Sequence, residues 1–581
     1  MYIEKINSPD DVKKLDITQL ETLAEEIRGG LMNRLSKRGG HFGPNFGFVE
    51  ATIALHYVFD SPKDKFVFDV SHQCYTHKML TGRKEAFFSD EHFGDISGYT
   101  NPEESEHDHF NVGHTSTSVS LACGLAKGRD VRGEDGNIVA IIGDGSLSGG
   151  EALEGLDFAS ELGSNFIIVV NDNDMSIAEN HGGLYKNLKE LRETGGKSGC
   201  NLFKAMGLDY VFLGEGNDIG KLIETFRKVK DTDHPVAVHI CTTKGKGYEP
   251  AETHKEDWHW HMPFDPESGE SPVFGGENYG DMTCDFMMKK MKADRSVVTL
   301  VAAVPTNISF TEDKRKEAGA QFVDVGIAEE HAVAMASGIA RSGGKPVFAT
   351  HSSFIQRTYD QISQDMCINS NPATLLVNTA SVYGMNDITH LGIYDIPMMS
   401  NIPNLVYLAP TNCEEYFAML DWSIEQDKYP VAIRIPCNGV IHTDKPVDTD
   451  YSDINKYRIT QQGGDIAIIA LGDFYQIGEE LAALIEKKTG KAPTLIDPRF
   501  ITGIDKDMLE GLKASHTTVV TLEDGILDGG FGEKIARYYG ADDMKVYCCG
   551  LKKEFLDRYS VDAVLAENRL TPEQMCEDIL W

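Results

Sequence analysis

The chain has 581 residues, 41% of them hydrophobic and 9% aromatic, enough for about three or four separate cores rather than one. A formal net charge of −35 argues against nucleic acid or an anionic membrane as the main partner, while leaving room for a local basic pocket that takes a phosphorylated metabolite. No run approaches the roughly 18 apolar residues of a membrane span. Eleven scattered cysteines without a CxxC framework, and a start (MYIEKINSPDDVKK) with no apolar signal region, fit a cytoplasmic protein with reduced thiols.

In chain order, short β-rich runs alternate with helical stretches. FVFDV (66–70), IVAII (138–142), FIIVVN (166–171) and VAVHI (236–240) read as strands, and 151–161 and 218–229 as helices. This alternation predicts an α/β fold of largely parallel sheets flanked by helices. A polar, glycine- and proline-bearing segment over 249–280 reads as an interdomain connection. A second block opens near 296 with SVVTLVAA, continues through EEHAVAMASGIARSG, PVFATHSS, TLLVNTA and VYLAP, and closes near 455 in HTDKPVDTDYSD. A third runs from DIAIIALG (465–472) through PTLIDPRF and TTVVTLED to a glycine-rich turn at 529–532.

The stretch IIGDGSLSGG (141–150) has neither the GxGxxG spacing of a dinucleotide site nor the GKS or GKT ending of a P-loop. Its Asp144 leaves a strand between two glycines. The next apolar strand ends in NDNDMS, presenting Asn173 and the backbone of Met175. Ligands bind beyond the carboxyl ends of parallel strands. A carboxylate, an amide oxygen and a peptide carbonyl are the hard donors that Mg2+ or Ca2+ accepts, with diphosphate oxygens completing the shell. The amides of Gly145 and Ser146 and the following helix N-terminus suit the remaining phosphate charge.

IIGDGSLSGG followed by NDNDMSIAEN resembles the thiamine diphosphate signature of transketolase-like enzymes, most closely the 1-deoxy-D-xylulose-5-phosphate synthase family. The similarity spans nearly the whole chain, through SKRGGHFGPNFGFVEATIALHYVFDSP, DVSHQCYTHKMLTGR, VGHTSTSVS, TTKGKGYEPAE, VGIAEEHAVAMASG and HSSFIQRTYDQ. It implies a three-domain transketolase-like fold: a diphosphate-binding domain over 1–265, a linker over 266–295, a pyrimidine-binding domain over 296–455 and a C-terminal domain over 456–581. It also implies a homodimer acting on small molecules, pyruvate and an aldehyde, with thiamine diphosphate and Mg2+ as cofactors.

By the same resemblance Asp144, Asn173 and the Met175 carbonyl would hold the metal. His72, Gly113, His114, Thr115, Gly145, Ser146 and Tyr248 would line the cofactor, Glu329 would meet the pyrimidine nitrogen, and Phe354 would stack on the ring. A carboxyl group buried against that ring is suited to sharing a proton with it; the bland alternative for Glu329 is an ordinary helix-face glutamate like Glu330. Adding a decarboxylated 2-oxo acid to an aldehyde moves protons at developing alkoxides, for which His41, His72, His114 and His390 are the candidates. On the acceptor side, His351, Arg357, Asn386, His390 and Arg434 are the expected substrate contacts.

The chain departs from the family pattern mainly on that side. His351 stands for an expected tyrosine, and Thr379 and Cys437 stand for arginines that would hold the aldehyde's phosphate. Losing two charge-assisted contacts of roughly 1.5–3 kcal/mol each would weaken phosphate binding tens-fold or more unless another group substitutes. Asn386 replaces an acid, with Asp387 beside it; Ser71 replaces a glycine before His72, Glu330 a glutamine, and the segment after Asn180 is shortened. Two enzyme readings follow: the synthase reaction of pyruvate with D-glyceraldehyde 3-phosphate, and a transketolase-like carboligase using another, unphosphorylated, aldehyde or ketose. A 2-oxo-acid dehydrogenase component and a non-catalytic scaffold are the remoter alternatives.

Overall fold

The apolar runs at 138–142 and 166–170 are uninterrupted by polar residues because both faces of their sheet are covered. The computed structural model, which describes residues 1–272 and 275–580, places these runs in one of two units, Met1–Gly275 with Gly326–Ala328. Its strands are β1 (Gly40–His41), β2 (Lys65–Phe68), β3 (Ile138–Gly143), β4 (Phe166–Asp172), β5 (Asp209–Leu213), β6 (Pro235–Cys241) and β7 (Trp260–His261). Strands β2 to β6 form a parallel sheet in the order β2-β3-β4-β6-β5, and β1 pairs antiparallel with β7.

Side chains alternate across that sheet. Val139, Ile141, Ile167 and Val169 pack toward helices Ile17–Arg38, Val49–Val58 and Ile219–Val229. Ile138, Ala140, Ile142, Ile168 and Val170 pack toward Ser118–Arg132, Gly150–Ala159 and Gly183–Glu193. Fully burying each Val, Leu or Ile is worth about 1.5–3 kcal/mol, so the two layers hold the strand ends firmly. Helix Ile219–Val229 starts at Asp218, whose carboxylate accepts the Lys221 N–H at 3.0 Å, capping an otherwise unpaired donor.

The second unit, Gly276–Val325 with Glu329–Trp581, carries two sheets. Strands β8 (Val297–Val301), β9 (Phe322–Asp324), β10 (Lys345–His351), β11 (Thr374–Asn378), β12 (Val406–Leu408) and β13 (Val431–Arg434) are parallel in the order β12-β13-β11-β10-β8-β9. Helix Glu329–Arg341 covers one face through Ala332, Val333 and Ala336, and Tyr416, Met419 and Leu420 of helix Cys413–Glu425 cover the other. Strands β14 (Arg458–Gln461), β15 (Asp465–Ala470), β16 (Thr494–Asp497), β17 (His516–Ile526) and β18 (Lys545–Leu551) run β14-β16-β15-β17-β18. Of these β14 alone is antiparallel to its neighbour.

Part of the expected linker is ordered structure. Residues Tyr279–Ala293 form a helix started by Asn278, which accepts the Asp281 N–H, and its Cys284, Met287 and Met291 enter the core. The polar composition of 249–280 had masked this amphipathic start, and also helix Glu249–Thr253 and β7. Val273 and Phe274 of that linker, and Trp581, lie outside the described residues. Among the described residues no helix is long and apolar enough to cross a membrane.

Candidate active site

Register positions the first group of polar side chains. Gly143 pairs with Asn171 across β3 and β4, so the residues just past the two carboxyl ends, Asp144 and Asn173, leave the sheet as neighbours. Asp144 is 1% exposed; its Oδ2 accepts the Asn180 side-chain amide at 2.8 Å and the Met175 N–H at 3.1 Å. Burial, reinforced by the nearby Asp172 carboxylate, pushes its carboxyl up to about 8. Asn173 Oδ1 and Asn180 Oδ1 are buried and have no hydrogen-bond partner. A Cβ on Gly145 would lie 3.0 Å from Ser176 Cβ and Oγ, so glycine is what lets the two loops close here. Buried Lys244 spans the same loops, donating from Nζ to the Ser176 carbonyl at 2.6 Å; burial lowers its ammonium to about 7.

The loop Gly113–Thr115, with His114 and Thr115 half-buried, is set by Asp69 beyond β2. Asp69 accepts the Ser116 and Ser118 N–H groups at 2.8 and 3.0 Å. Ser71, at the position where glycine was expected, has a φ of 63° and uses its hydroxyl as a tie: Oγ donates to Val112 O at 2.7 Å and accepts the Thr100 N–H at 2.9 Å. Those bonds compensate for the left-handed backbone that glycine would enter freely.

His41 and His72 come together, ring centroids 5.1 Å apart, and a third imidazole joins them: His259 lies 5.6 Å from His41 and 5.4 Å from His72. Burial, then the neighbouring positive groups, hold His72 and His259 well below the usual histidine range, so both are neutral. Asn45 fixes the first two backbones, its Nδ2 donating to His41 O and His72 O at 2.7 Å each. Tyr248 packs on Phe42 and Trp258 instead of standing alone.

In the second unit, Glu329 opens helix Glu329–Arg341 at 4% exposure. Its Oε2 has no hydrogen-bond partner and lies 3.8 Å from Arg357 Nη1. Burial raises its carboxyl to about 7, against the pull of Arg357. Phe354 touches both buried histidines of this side, edge-on to His351 at 5.1 Å and His390 at 5.5 Å. The pairing of His351 with Asn378 puts Thr379 alongside, and Thr379 Oγ1 meets His351 Nδ1 at 2.9 Å. Burial, then His390, lowers His351 to about 3, leaving it neutral.

Two of the acceptor-side candidates make contacts that spacing did not foretell. Asn386 is exposed and donates its amide to Tyr559 O at 3.1 Å, while Asp387 is the group that reaches His390 Nδ1, also at 3.1 Å. Burial would raise Asp387, but His390 and Thr389 hold it below the usual carboxylate range. Arg434 is 3% exposed and consumed by carboxylates: Nε and Nη2 bind Asp395 at 2.8 and 3.2 Å, and Nη1 binds Asp524 at 2.5 Å. Three of its five N–H donors are therefore engaged in internal ion pairs. Cys437 Sγ is likewise turned inward, 3.5 Å from Ile435 O.

Sequence reasoning missed His259, Asn180, Asn45 and Asp69. The spacing HWH after TTKGKGYEPAE was the available signal for His259, and the closing asparagine of NDNDMSIAEN the signal for Asn180; for Asp69 the partners Ser116 and Ser118 lie in a distant loop, and Asn45 ties His41, four residues back, to the distant His72.

The chain matches the family 1-deoxy-D-xylulose-5-phosphate synthase over residues 3–201 and 194–242, the transketolase pyrimidine-binding domain over 278–439 and the transketolase C-terminal domain over 455–575. A 1-deoxy-D-xylulose-5-phosphate synthase of Brevibacillus brevis is 36% identical over 99% of this chain and 97% of that protein. One from Halothermothrix orenii is 37% identical over 95% of this chain and 93% of its own length. Among solved structures, the transketolase of Campylobacter jejuni aligns with 97% of this chain and 100% of its own at 17% identity and a TM-score of 0.46. The matched transketolase domains, together with the largely parallel sheets flanked by helices, make the fold class α/β and transketolase-like. From near full-length identity to these synthases, this chain belongs to the 1-deoxy-D-xylulose-5-phosphate synthase family.

Proposed function

We propose that this chain is a thiamine diphosphate- and Mg2+-dependent transferase that decarboxylates pyruvate and joins the two-carbon fragment to D-glyceraldehyde 3-phosphate, giving 1-deoxy-D-xylulose 5-phosphate. Family membership along nearly the whole chain supports the reaction. The observation that carries the site is the donor set past β3 and β4. Asp144 is buried with its carboxyl raised, and Asn173 Oδ1 lacks a protein partner, an arrangement that a hard divalent cation with oxygen ligands would satisfy. The Met175 carbonyl completes the proposed metal ligands, and Gly113, His114, Thr115, Gly145, Ser146 and Tyr248 the proposed cofactor lining.

Bound thiamine diphosphate supplies the nucleophilic carbon and the electron sink for decarboxylation. Glu329, with an unpartnered Oε2 and a carboxyl near 7, is suited to holding and returning a proton at the pyrimidine nitrogen, and Phe354 to packing on that ring. His72 and His259, kept neutral by burial, can accept protons at substrate oxygens and return them; His41 sits against both, and His114 belongs to the same proposed set. His351, His390 and Arg357 remain the acceptor-side proposals. The domain boundaries 1–265, 296–455 and 456–581 belong to this reading, as does a homodimer, which light scattering after size exclusion tests. Eleven free cysteines fit a reducing cytoplasm.

A second reading, a carboligase using an unphosphorylated aldehyde or ketose, draws on the engagement of Arg434 by Asp395 and Asp524 and on Thr379 and Cys437 at expected arginine positions. Incubating purified protein, pyruvate and a panel of phosphorylated and plain aldehydes separates the two by which acceptor is consumed.

A further inference from the structure

Behind the proposed metal ligands runs a chain of polar side chains that no step above uses. Arg192, in the last turn of helix Gly183–Glu193, donates from Nη1 to both carboxylate oxygens of Asp172 at 2.7 Å and from Nη2 to Asp174 Oδ1 at 2.5 Å. The Asp172 carboxylate also meets His239 Nε2 at 2.9 Å, and His239 Nδ1 faces the Tyr210 hydroxyl at 2.8 Å. Asp172 Oδ1 accepts the Asp174 N–H at 3.1 Å, closing a turn around Asn173. Asp174 itself has a φ of 63°, in the left-handed region that aspartate enters more readily than most L residues.

A brace serving the sheet alone would need only Asp172, which is fully buried in β4 with His239 of β6 beside it. The second contact reaches past the strand end to Asp174, whose side chain is 63% exposed. One planar guanidinium thus grips the residues on both sides of Asn173, a geometry a lysine point charge would not reproduce. Asn173 Oδ1 is the atom left without a partner.

We propose that Arg192 is a positioning residue for the divalent-cation loop: by gripping Asp172 and Asp174 it fixes Asn173 between them, and so couples the docking of helix Gly183–Glu193 to Mg2+-dependent diphosphate binding. The inference rests on the reading that Asp144 and Asn173 hold Mg2+. Coupling of this kind is reciprocal, so whatever loosens the helix weakens the ion, and the ion in turn steadies the helix.

The test is a Mg2+ titration of thiamine diphosphate binding to the purified full-length chain, followed by calorimetry. Arg192→Met is expected to raise the Mg2+ concentration for half-maximal binding about tenfold, with turnover lost at low Mg2+ and recovered at high Mg2+. Arg192→Lys is expected to recover only part of that shift, and Asp174→Asn to produce about a threefold shift. Arg129→Met is the structural control. That arginine is also buried in the first unit but binds Asp130, Gly136 O and Ser164, so its loss lowers the melting temperature and leaves the Mg2+ half-point in place. A wild-type half-point in Arg192→Met, or an equal shift in Arg129→Met, overturns the proposal. If Arg192→Met does not fold, an unshifted half-point in Asp174→Asn overturns it. Asn173→Ala separates the two layers: unchanged Mg2+ dependence there sinks the metal-site reading itself, whereas its loss with unaltered Arg192 and Asp174 variants sinks only the role of Arg192.

Discussion

The two units treat their buried polar groups differently. Past β3 and β4 in the first unit, Asn173 and Asn180 keep amide oxygens without partners around a carboxyl raised by burial. On the acceptor side of the second unit three candidate side chains are already engaged: His351 with Thr379, His390 with Asp387, and Arg434 with Asp395 and Asp524. An unspent buried donor set costs free energy unless a ligand completes it, whereas a spent set is stable as it stands. Glu329, with its unpartnered Oε2, behaves like the first-unit set, and Ser353 Oγ and Asn378 Oδ1 of the second unit are buried and unpartnered too.

Breaking the unspent set should have the largest effects. Asp144→Asn is expected to abolish Mg2+-dependent cofactor binding in calorimetry and to lower turnover by about a thousandfold or more, since a neutral amide replaces the anionic ligand. An unchanged isotherm would end the contrast between the units. Glu329→Gln should still bind thiamine diphosphate while kcat falls on the order of 100- to 1,000-fold, the range of a lost general acid–base group.

The same variant should move stability with a definite sign. Because the folded carboxyl is raised to about 7, the native state holds a proton that the unfolded chain has released between about pH 4.5 and 7. Stability of the cofactor-free protein therefore falls as pH rises through that window, by on the order of 3 kcal/mol. Glu329→Gln should remove this dependence, so its melting temperature should exceed the parent's at pH 8 and approach it near pH 5. A smaller effect sharpens the acceptor side: Asp387→Asn should lower kcat/KM for the aldehyde about tenfold, some 1.4 kcal/mol, and Asn386→Ala should leave it within about twofold, because only the former touches His390. Equal losses would return the role to Asn386.

The fold was legible where burial on both faces makes strands continuous: 138–142 and 166–171 became β3 (Ile138–Gly143) and β4 (Phe166–Asp172). It was illegible where composition misleads, as in the helix Tyr279–Ala293 inside a polar stretch, and where a strand is short and half-exposed, as in β5. Motif spacing singled out Asp144, Asn173, Glu329 and Phe354 because these belong to local runs. It could not reveal that Arg434 pairs with Asp524, 90 positions away, or that Asp172 is shared by Arg192 and His239. A side chain's identity limits what it can bind, but its partner is set by which distant loop the sheet order brings beside it. That is why spacing offered Arg434 as a ligand contact with no sign of its ion pairs to Asp395 and Asp524.

The central claim is decided by steady-state kinetics with pyruvate and two acceptors that differ only in phosphate, D-glyceraldehyde 3-phosphate and D-glyceraldehyde. The expected result is a kcat/KM at least about tenfold higher for the phosphorylated acceptor, equivalent to some 1.4 kcal/mol of phosphate recognition. Equal values, or a preference for the plain aldehyde, would contradict the synthase reading and leave the carboligase in its place.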